Sequence, residues 1–205
     1  MLPVPTELVC QITELQRASV VRWHELPPNN PHDGLLATVC QQHQFNFLLW
    51  HEEDIARSPE VSDGRIAEVK RAIDRYNQQR NDWIERIDEA LLQTLAAEGM
   101  LPRAGAKLNT ETPGSAIDRL SIMSLRIYHF EEQLTRDDAD AKHRTNVAER
   151  LARCELQHTD LSSSLAELLE DLWAGRKLLK VYRQMKMYND PTLNPYLYRA
   201  QRLAG

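Results

Sequence analysis

The sequence predicts an all-α fold, an antiparallel bundle of about five helices with one long C-terminal helix and an irregular aromatic tail. Three observations carry that prediction. Glycine is scarce, with 7 in 205 residues, while Ala, Leu, Glu, Arg and Gln are plentiful, which is helix-forming chemistry with few turns. Apolar residues recur at three-four spacing through long stretches. The breaks between those stretches fall at Pro and Gly clusters. The length suits a single domain over 1–205, with 185–205 as a tail packed on the bundle.

The first helix is expected from about Thr6 to Trp23. Thr6 can cap it and Pro5 discourages an earlier start. Its apolar face is Leu8, Ile12, Leu15 and Ser19/Val20. Pro27-Pro28-Asn29-Asn30-Pro31 then cannot continue a helix. The second helix spans Gly34 to Arg57, stopped by Ser58-Pro59. Its face runs Leu36, Val39/Cys40, His43, Asn46/Phe47, Trp50, Glu53/Asp54 and Arg57, so the stripe turns polar in its lower half without losing the period.

The third helix opens at Ser62-Asp63-Gly64 and closes at Gly99 and Pro102. Its stripe is Ile66, Val69, Ile73, Tyr76, Arg80, Trp83/Ile84, Ile87, Leu91 and Leu95. Met100 to Thr112 reads as a loop. The fourth helix starts at Ser115, with Asp118 three residues on as its capping-box partner, and ends near Thr135. Val147, Leu151, Cys154, His158, Leu161, Leu165, Leu168 and Leu172 then mark a helix from about Asp138 to Met187. Unbroken, it is about 75 Å long at 1.5 Å per residue, which calls for a bend near Ser162-Ser163-Ser164 or a homodimer interface.

Composition excludes some classes. A formal charge of −5 argues against a nucleic-acid partner, which needs a basic stripe. The longest apolar run, Phe47-Leu48-Leu49-Trp50, is far short of the ~20 residues a membrane helix needs, so no membrane insertion is expected. Cys10, Cys40 and Cys154 are odd in number and have no metal-like spacing. They point to buried free thiols in a reducing, cytoplasmic setting.

Candidate chemistry gathers on three helices. Arg80 on an apolar stripe is the strongest anomaly, because a buried guanidinium is costly unless paired with a carboxylate or a bound anion. Its partner is Glu53, Asp54 or Asp118, in a bridge that fixes helix register, or else a ligand. Asn46, Asn77 and Asn81 add amides, which favour specific hydrogen bonds over plain solvation. Gly114-Ser115 before a helix offers free amides to an anion, and Arg119 can join Arg80 in a phosphate or carboxylate cradle. His129 is a packing histidine or a general base.

Metal motifs are sparse. Glu155-x-x-His158 occurs once, and the chain has no His-Glu-x-x-His and no cysteine pair, so no dedicated transition-metal site is expected. Magnesium bridging Glu53, Asp54 or Asp82 to a phosphate remains compatible with the carboxylates.

Four segments resemble a bacterial family catalogued as domain of unknown function 4254. They are Leu49-Trp50-His51-Glu52-Glu53-Asp54, Ile73-Asp74-Arg75-Tyr76-Asn77-Gln78-Gln79-Arg80-Asn81-Asp82, the stretch from Thr110 to Ile122, and Tyr182 to Pro191. The resemblance implies an association with cell-envelope glycan assembly and supplies no activity and no catalytic residue. Three readings follow. One is a binding or accessory protein for an anionic ligand, phosphate- or nucleotide-sugar-like. The second is a magnesium-assisted phosphoester hydrolase. The third is a structural protein with a buried polar network.

Overall fold

The computed structural model describes residues 3–185, 187, 190–197 and 199. Its long helices are α1 (Pro5–Glu25), α2 (Gly34–Arg57), α3 (Asp63–Ala97), α4 (Pro113–Leu134) and α5 (Ala141–Trp173). The architecture is an all-α bundle, as the sequence predicts. No helix among the described residues is long and apolar enough to cross a membrane.

The helix ends show what terminated each stripe. Proline stands at the start of α1, where its missing N–H costs nothing and its fixed φ is already helical. Pro5 therefore begins the helix rather than delaying it, and Thr6 is not its cap. Ser62 caps α3 through its hydroxyl, which accepts from the Arg65 amide. Asp140 caps α5 in the same way from the His143 amide.

Two further ends differ from expectation. α4 begins at Pro113 and is capped by Thr112, whose hydroxyl accepts from the Ser115 amide at 3.2 Å. Ser115 is thus in the first turn, and Asp118 is released from any capping box. α5 stops at Trp173, well short of Met187. Gly175 adopts φ +67°, its amide bonds back to Leu172 O, and the Arg176 amide bonds to Asp171 O. That pair of bonds is the Schellman ending that a left-handed glycine permits. At 33 residues α5 is about 50 Å long. The length that called for a bend or a second copy is not there.

Beyond α5, β2 (Lys177–Leu178) pairs in parallel with β1 (Lys107–Leu108), inside the segment read as an unstructured loop. The chain then runs along α3, where the Arg183 guanidinium donates to Glu89 at 3.0 Å and the Gln184 amide to Glu85 at 2.7 Å. Of the expected aromatic tail, Lys186, Tyr188, Asn189, Tyr198 and 200–205 lie outside the described residues, and Tyr196 is exposed.

Cross-helix contacts fix the directions. α2 and α3 form an antiparallel hairpin across a short turn, and so do α4 and α5. α1, α2 and α4 run parallel to one another. His43 and His51 of α2 meet Gln16 and His24 of α1 in that order, and Asn46 and Trp50 meet Ser121 and His129 of α4. A parallel neighbour needs a long return. The proline-rich segment supplies it by running back along α2 in extended form, with Cys40 Sγ on Asn29 O and the Asn30 amide on Ala37 O. Prolines keep this return extended.

The core lies where α1, α2, α4 and α5 meet the C-terminal half of α3. Ile12, Val39, Leu91, Ile117, Leu120, Leu125, Leu165 and Leu169 are buried there. Each contributes about 2 kcal/mol through removal of its side chain from water. Cys40 and Cys154 are buried free thiols, whereas Cys10 is exposed beside Glu14.

Candidate functional site

The polar residues of α2, α3 and α4 meet around one carboxylate. Asp118, released from capping, is buried and faces α2 and α3. Arg80 grips it with both arms of the fork, Nε to Oδ1 at 2.7 Å and Nη2 to Oδ2 at 2.5 Å. Gln42 Nε2 and Asn46 Nδ2 also donate to Oδ1, at 2.7 and 2.9 Å. Of the partners proposed for Arg80, Asp118 is the one it takes. Four donors satisfy a carboxylate that could not otherwise sit away from water. The Asp118 hydrogen bonds in turn hold the guanidinium above its ordinary pKa.

The network continues inward. Asn46 Nδ2 donates to Ser121 Oγ at 2.8 Å, and Ser121 Oγ lies 2.6 Å from His43 Nδ1. His43 Nε2 meets the Gln16 carbonyl at 3.0 Å, and Gln16 Nε2 donates to the Ile117 carbonyl at 3.1 Å. A carbonyl can only accept, so His43 carries its proton on Nε2 and accepts the Ser121 hydroxyl proton at Nδ1. Full burial pushes its pKa down to about 3, so it is neutral at physiological pH. One chain of bonds thus ties α1, α2, α3 and α4 at a single level.

Outside this closed network lies an open cleft of about 400 Å³ between α2, α3 and α4. Asn46, Glu53, Asp54, Asn77 and Arg80 line it together with Leu49, Trp50, Ile73, Ile122 and Leu125. Arg80 is the boundary. Its side chain is 26% exposed and lines the cleft, with two N–H groups spent on Asp118. Glu53 is held by Arg57 at 2.6 Å, and Asp54 is exposed. Asn81 does not reach the cleft lining, since its amide bonds back to the Asn77 carbonyl at 2.8 Å.

Several sequence expectations are corrected by this geometry. Arg119 does not join Arg80. It is exposed, pairs with Glu111 at 3.0 Å, and lines a separate cleft of about 880 Å³ between α4 and α5. Ser115 offers no free amide, because Thr112 takes it. The Gly114 amide donates to Asp88 Oδ1 at 2.7 Å. The anion at the α4 N-terminus is therefore the protein's own carboxylate from α3. Asp88 is buried, and burial pushes its pKa up to about 6 despite its bonds to Thr112 and Gly114. The fit is close, since a Cβ on Gly114 would stand 2.6 Å from Ile84 O.

His129 lies away from the Arg80 cleft. Its ring stacks on Trp50 at 4.9 Å, nearly parallel, and its Nδ1 meets Glu132 at 3.2 Å. Of the proposed magnesium ligands, Glu53 and Asp54 line the cleft and Asp82 does not, and the three form no close group among the described residues. Glu53 is paired with Arg57, and Asp82 accepts from Gln78. Among the described residues the one group of at least three close metal-ligating side chains is His24, His51 and His129. Sequence reasoning missed that group, together with Gln16, Gln42, His43 and Asp88. Of these, only His43 was placed on an apolar stripe.

No curated protein and no solved structure matches the chain. The family described as Protein of unknown function (DUF4254) matches residues 36–181, from the first turn of α2 to just past β2. That is most of the 205 residues, and it contains every residue of the Asp118 network except Gln16. On that match, this chain belongs to the DUF4254 family.

Proposed function

We propose that the protein is a binding or accessory protein whose ligand pairs an acidic group with an apolar body and seats in the α2/α3/α4 cleft. The observation that carries this reading is the position of Arg80, anchored by Asp118 from behind and lining an open cleft in front. A prepositioned guanidinium loses little freedom on meeting a carboxylate or phosphate. Leu49, Trp50, Ile73, Ile122 and Leu125 supply the apolar floor. A cleft of this size and mixed lining is typical of small-molecule sites. Glu53 and Asp54 also line the cleft and disfavour a highly charged ligand, which puts sugar monophosphates ahead of nucleotide sugars within the anionic class. The family's implied link to cell-envelope glycan assembly makes sugar phosphates and nucleotide sugars the first compounds to test.

The test is a thermal-shift and calorimetric panel of sugar phosphates, nucleotide sugars and amphipathic carboxylates, with neutral sugars as controls. A binder at a hundred times its Kd stabilises by about 2.7 kcal/mol, a readily measured shift. Binding should be lost in Ile73→Trp, which fills the cleft without touching Asp118. A midpoint unmoved by every compound at millimolar concentration overturns the reading.

A second reading is structural, favoured by the convergence of Gln42, Asn46 and Arg80 on one carboxylate. Arg80 then serves to fix helix register and the cleft is incidental. It predicts no ligand and a large stability loss on removing Arg80.

A further inference from the structure

Three imidazoles from three helices meet on the other side of Trp50: His24 of α1, His51 of α2 and His129 of α4. Each offers a ring nitrogen, and these nitrogens all lie within 4.8 Å of one another. The rings are already oriented. His24 Nδ1 meets the Val20 carbonyl at 2.7 Å, His51 Nδ1 the Phe47 carbonyl at 2.8 Å, and His129 Nδ1 the Glu132 carboxylate at 3.2 Å. All three partners are acceptors, so each neutral ring carries its proton on Nδ1 and presents a lone pair at Nε2. The Nε2 atoms of His24 and His129 are buried without a hydrogen-bond partner among the described residues.

This arrangement is hard to explain as packing alone. Most packed histidines satisfy both nitrogens or leave one in water. Here two buried ring nitrogens have no partner among the described residues, and three rings stand close enough that protonating them together would place like charges at short range. Stacking holds the rings in place: His24 on Tyr128 at 4.1 Å and His129 on Trp50 at 4.9 Å.

We propose that His24, His51 and His129 form a binding site for a divalent transition-metal ion of the zinc class, ligated through Nε2 of each ring. A tetrahedral ion at 2.0–2.1 Å from each nitrogen needs them about 3.4 Å apart, so closing the site takes small side-chain rotations. Imidazole suits zinc, copper, nickel and iron, and does not suit magnesium or calcium. The Nδ1 bonds to carbonyls and a carboxylate are the outer contacts that metal-bound histidines use to fix tautomer and raise basicity. Three protein ligands leave a fourth position for water or an anion, the pattern of an open rather than a purely structural site. Motif scanning does not find the site because its ligands are not near one another in sequence. The proposal is independent of the Arg80 cleft.

The test is titration of chelator-treated, untagged full-length protein with Zn²⁺ and Co²⁺, read by calorimetry, metal analysis after desalting and visible absorption. We expect one equivalent bound at pH 7.5, tetrahedral Co²⁺ bands without a thiolate charge-transfer band, and quenched tryptophan emission from Trp50. Stoichiometric binding should vanish in His24→Ala and in His51→Ala, with circular dichroism checking the fold. Glu132→Gln, which leaves all three ligands in place, should weaken affinity by roughly tenfold or more. Mg²⁺ should not bind. Absence of stoichiometric Zn²⁺ binding by the wild-type protein overturns the proposal, as does a thiolate band or binding undiminished in both alanine variants. The cobalt spectrum of the wild-type protein decides the matter if those variants fail to fold.

Discussion

Arg80 of α3 holds Asp118 of α4 by both arms of its guanidinium, and Asp118 is buried while Arg80 reaches the cleft. Removing Arg80 leaves a buried carboxylate with amide donors but no counter-charge. Arg80→Ala should therefore cost on the order of 3 kcal/mol in unfolding free energy, measured by urea denaturation. Adding Asp118→Asn should restore part of that loss, since the stranded charge goes with it. A fully folded Arg80→Ala of unchanged stability would sink the register role and leave Arg80 to the ligand.

Two buried groups should oppose each other in acid. His43 has an ordinary value of 6.5 and a folded value of about 3. Between those values the unfolded chain takes the proton first, so stability falls as pH falls through the window. Asp88 runs the other way, from 3.8 up to about 6. The folded state takes its proton first, so stability rises as pH falls from 6 toward 4. Each slope is about 1.4 kcal/mol per pH unit at its steepest, and they cancel across pH 4–6. Relative to wild type, Asp88→Asn should lose stability on acidification and His43→Gln should gain it. Parallel pH curves for wild type and both variants would contradict this.

Ser121 joins two halves of the network, donating to His43 and accepting from Asn46. Ser121→Ala leaves the His43 Nδ1 lone pair and one Asn46 N–H unsatisfied. The expected cost is about 1–3 kcal/mol, read by chemical denaturation. Ser124→Ala is the control, since its hydroxyl merely bonds back to Leu120 O within the same helix. It should change little.

Gly114 is required by distance and not by φ. Gly114→Ala puts a methyl 2.6 Å from the Ile84 carbonyl and 2.9 Å from the Asp88 carboxylate. α4 must then back away from α3, loosening the Asp88–Gly114 bond. A loss of about 1–3 kcal/mol is expected, with a larger drop in melting temperature than for Gly64→Ala, whose Cβ meets nothing.

Much of the fold was legible because punctuation and period agree. Gly34 and Ser58-Pro59 bound α2 as expected, and Ser62 caps α3. Arg80 stood out because a charge interrupted an apolar stripe, and the cleft residues Asn46, Glu53, Asp54 and Asn77 followed from the same faces. Other parts could not be read that way. Asp118 fitted a capping box as well as a salt bridge, and only tertiary contact with α3 decides between them. Asp88 stands beside Ile87 on a helix and looks like ordinary surface charge until Gly114 is brought to it. Gln16 and Gln42 are buried amides, a chemistry that periodicity cannot distinguish from solvated glutamine. Gly175 ends α5 through a left-handed turn that the leucine period of that helix does not register.

The extended return from Glu25 to Gly34 has a kinetic consequence. Because α1 runs parallel to α2, it cannot zip onto its chain neighbour as a local hairpin does. Gln16 of α1 reaches Ile117, and Pro3 just before the helix reaches Trp173, both far along the chain. Those contacts close large loops and form late, whereas the α2/α3 and α4/α5 hairpins form from local pairs. α1 should therefore be the last piece to dock and the first to leave. Amide exchange in α1 should be faster than in α2 or α4, with its protection marking the complete assembly.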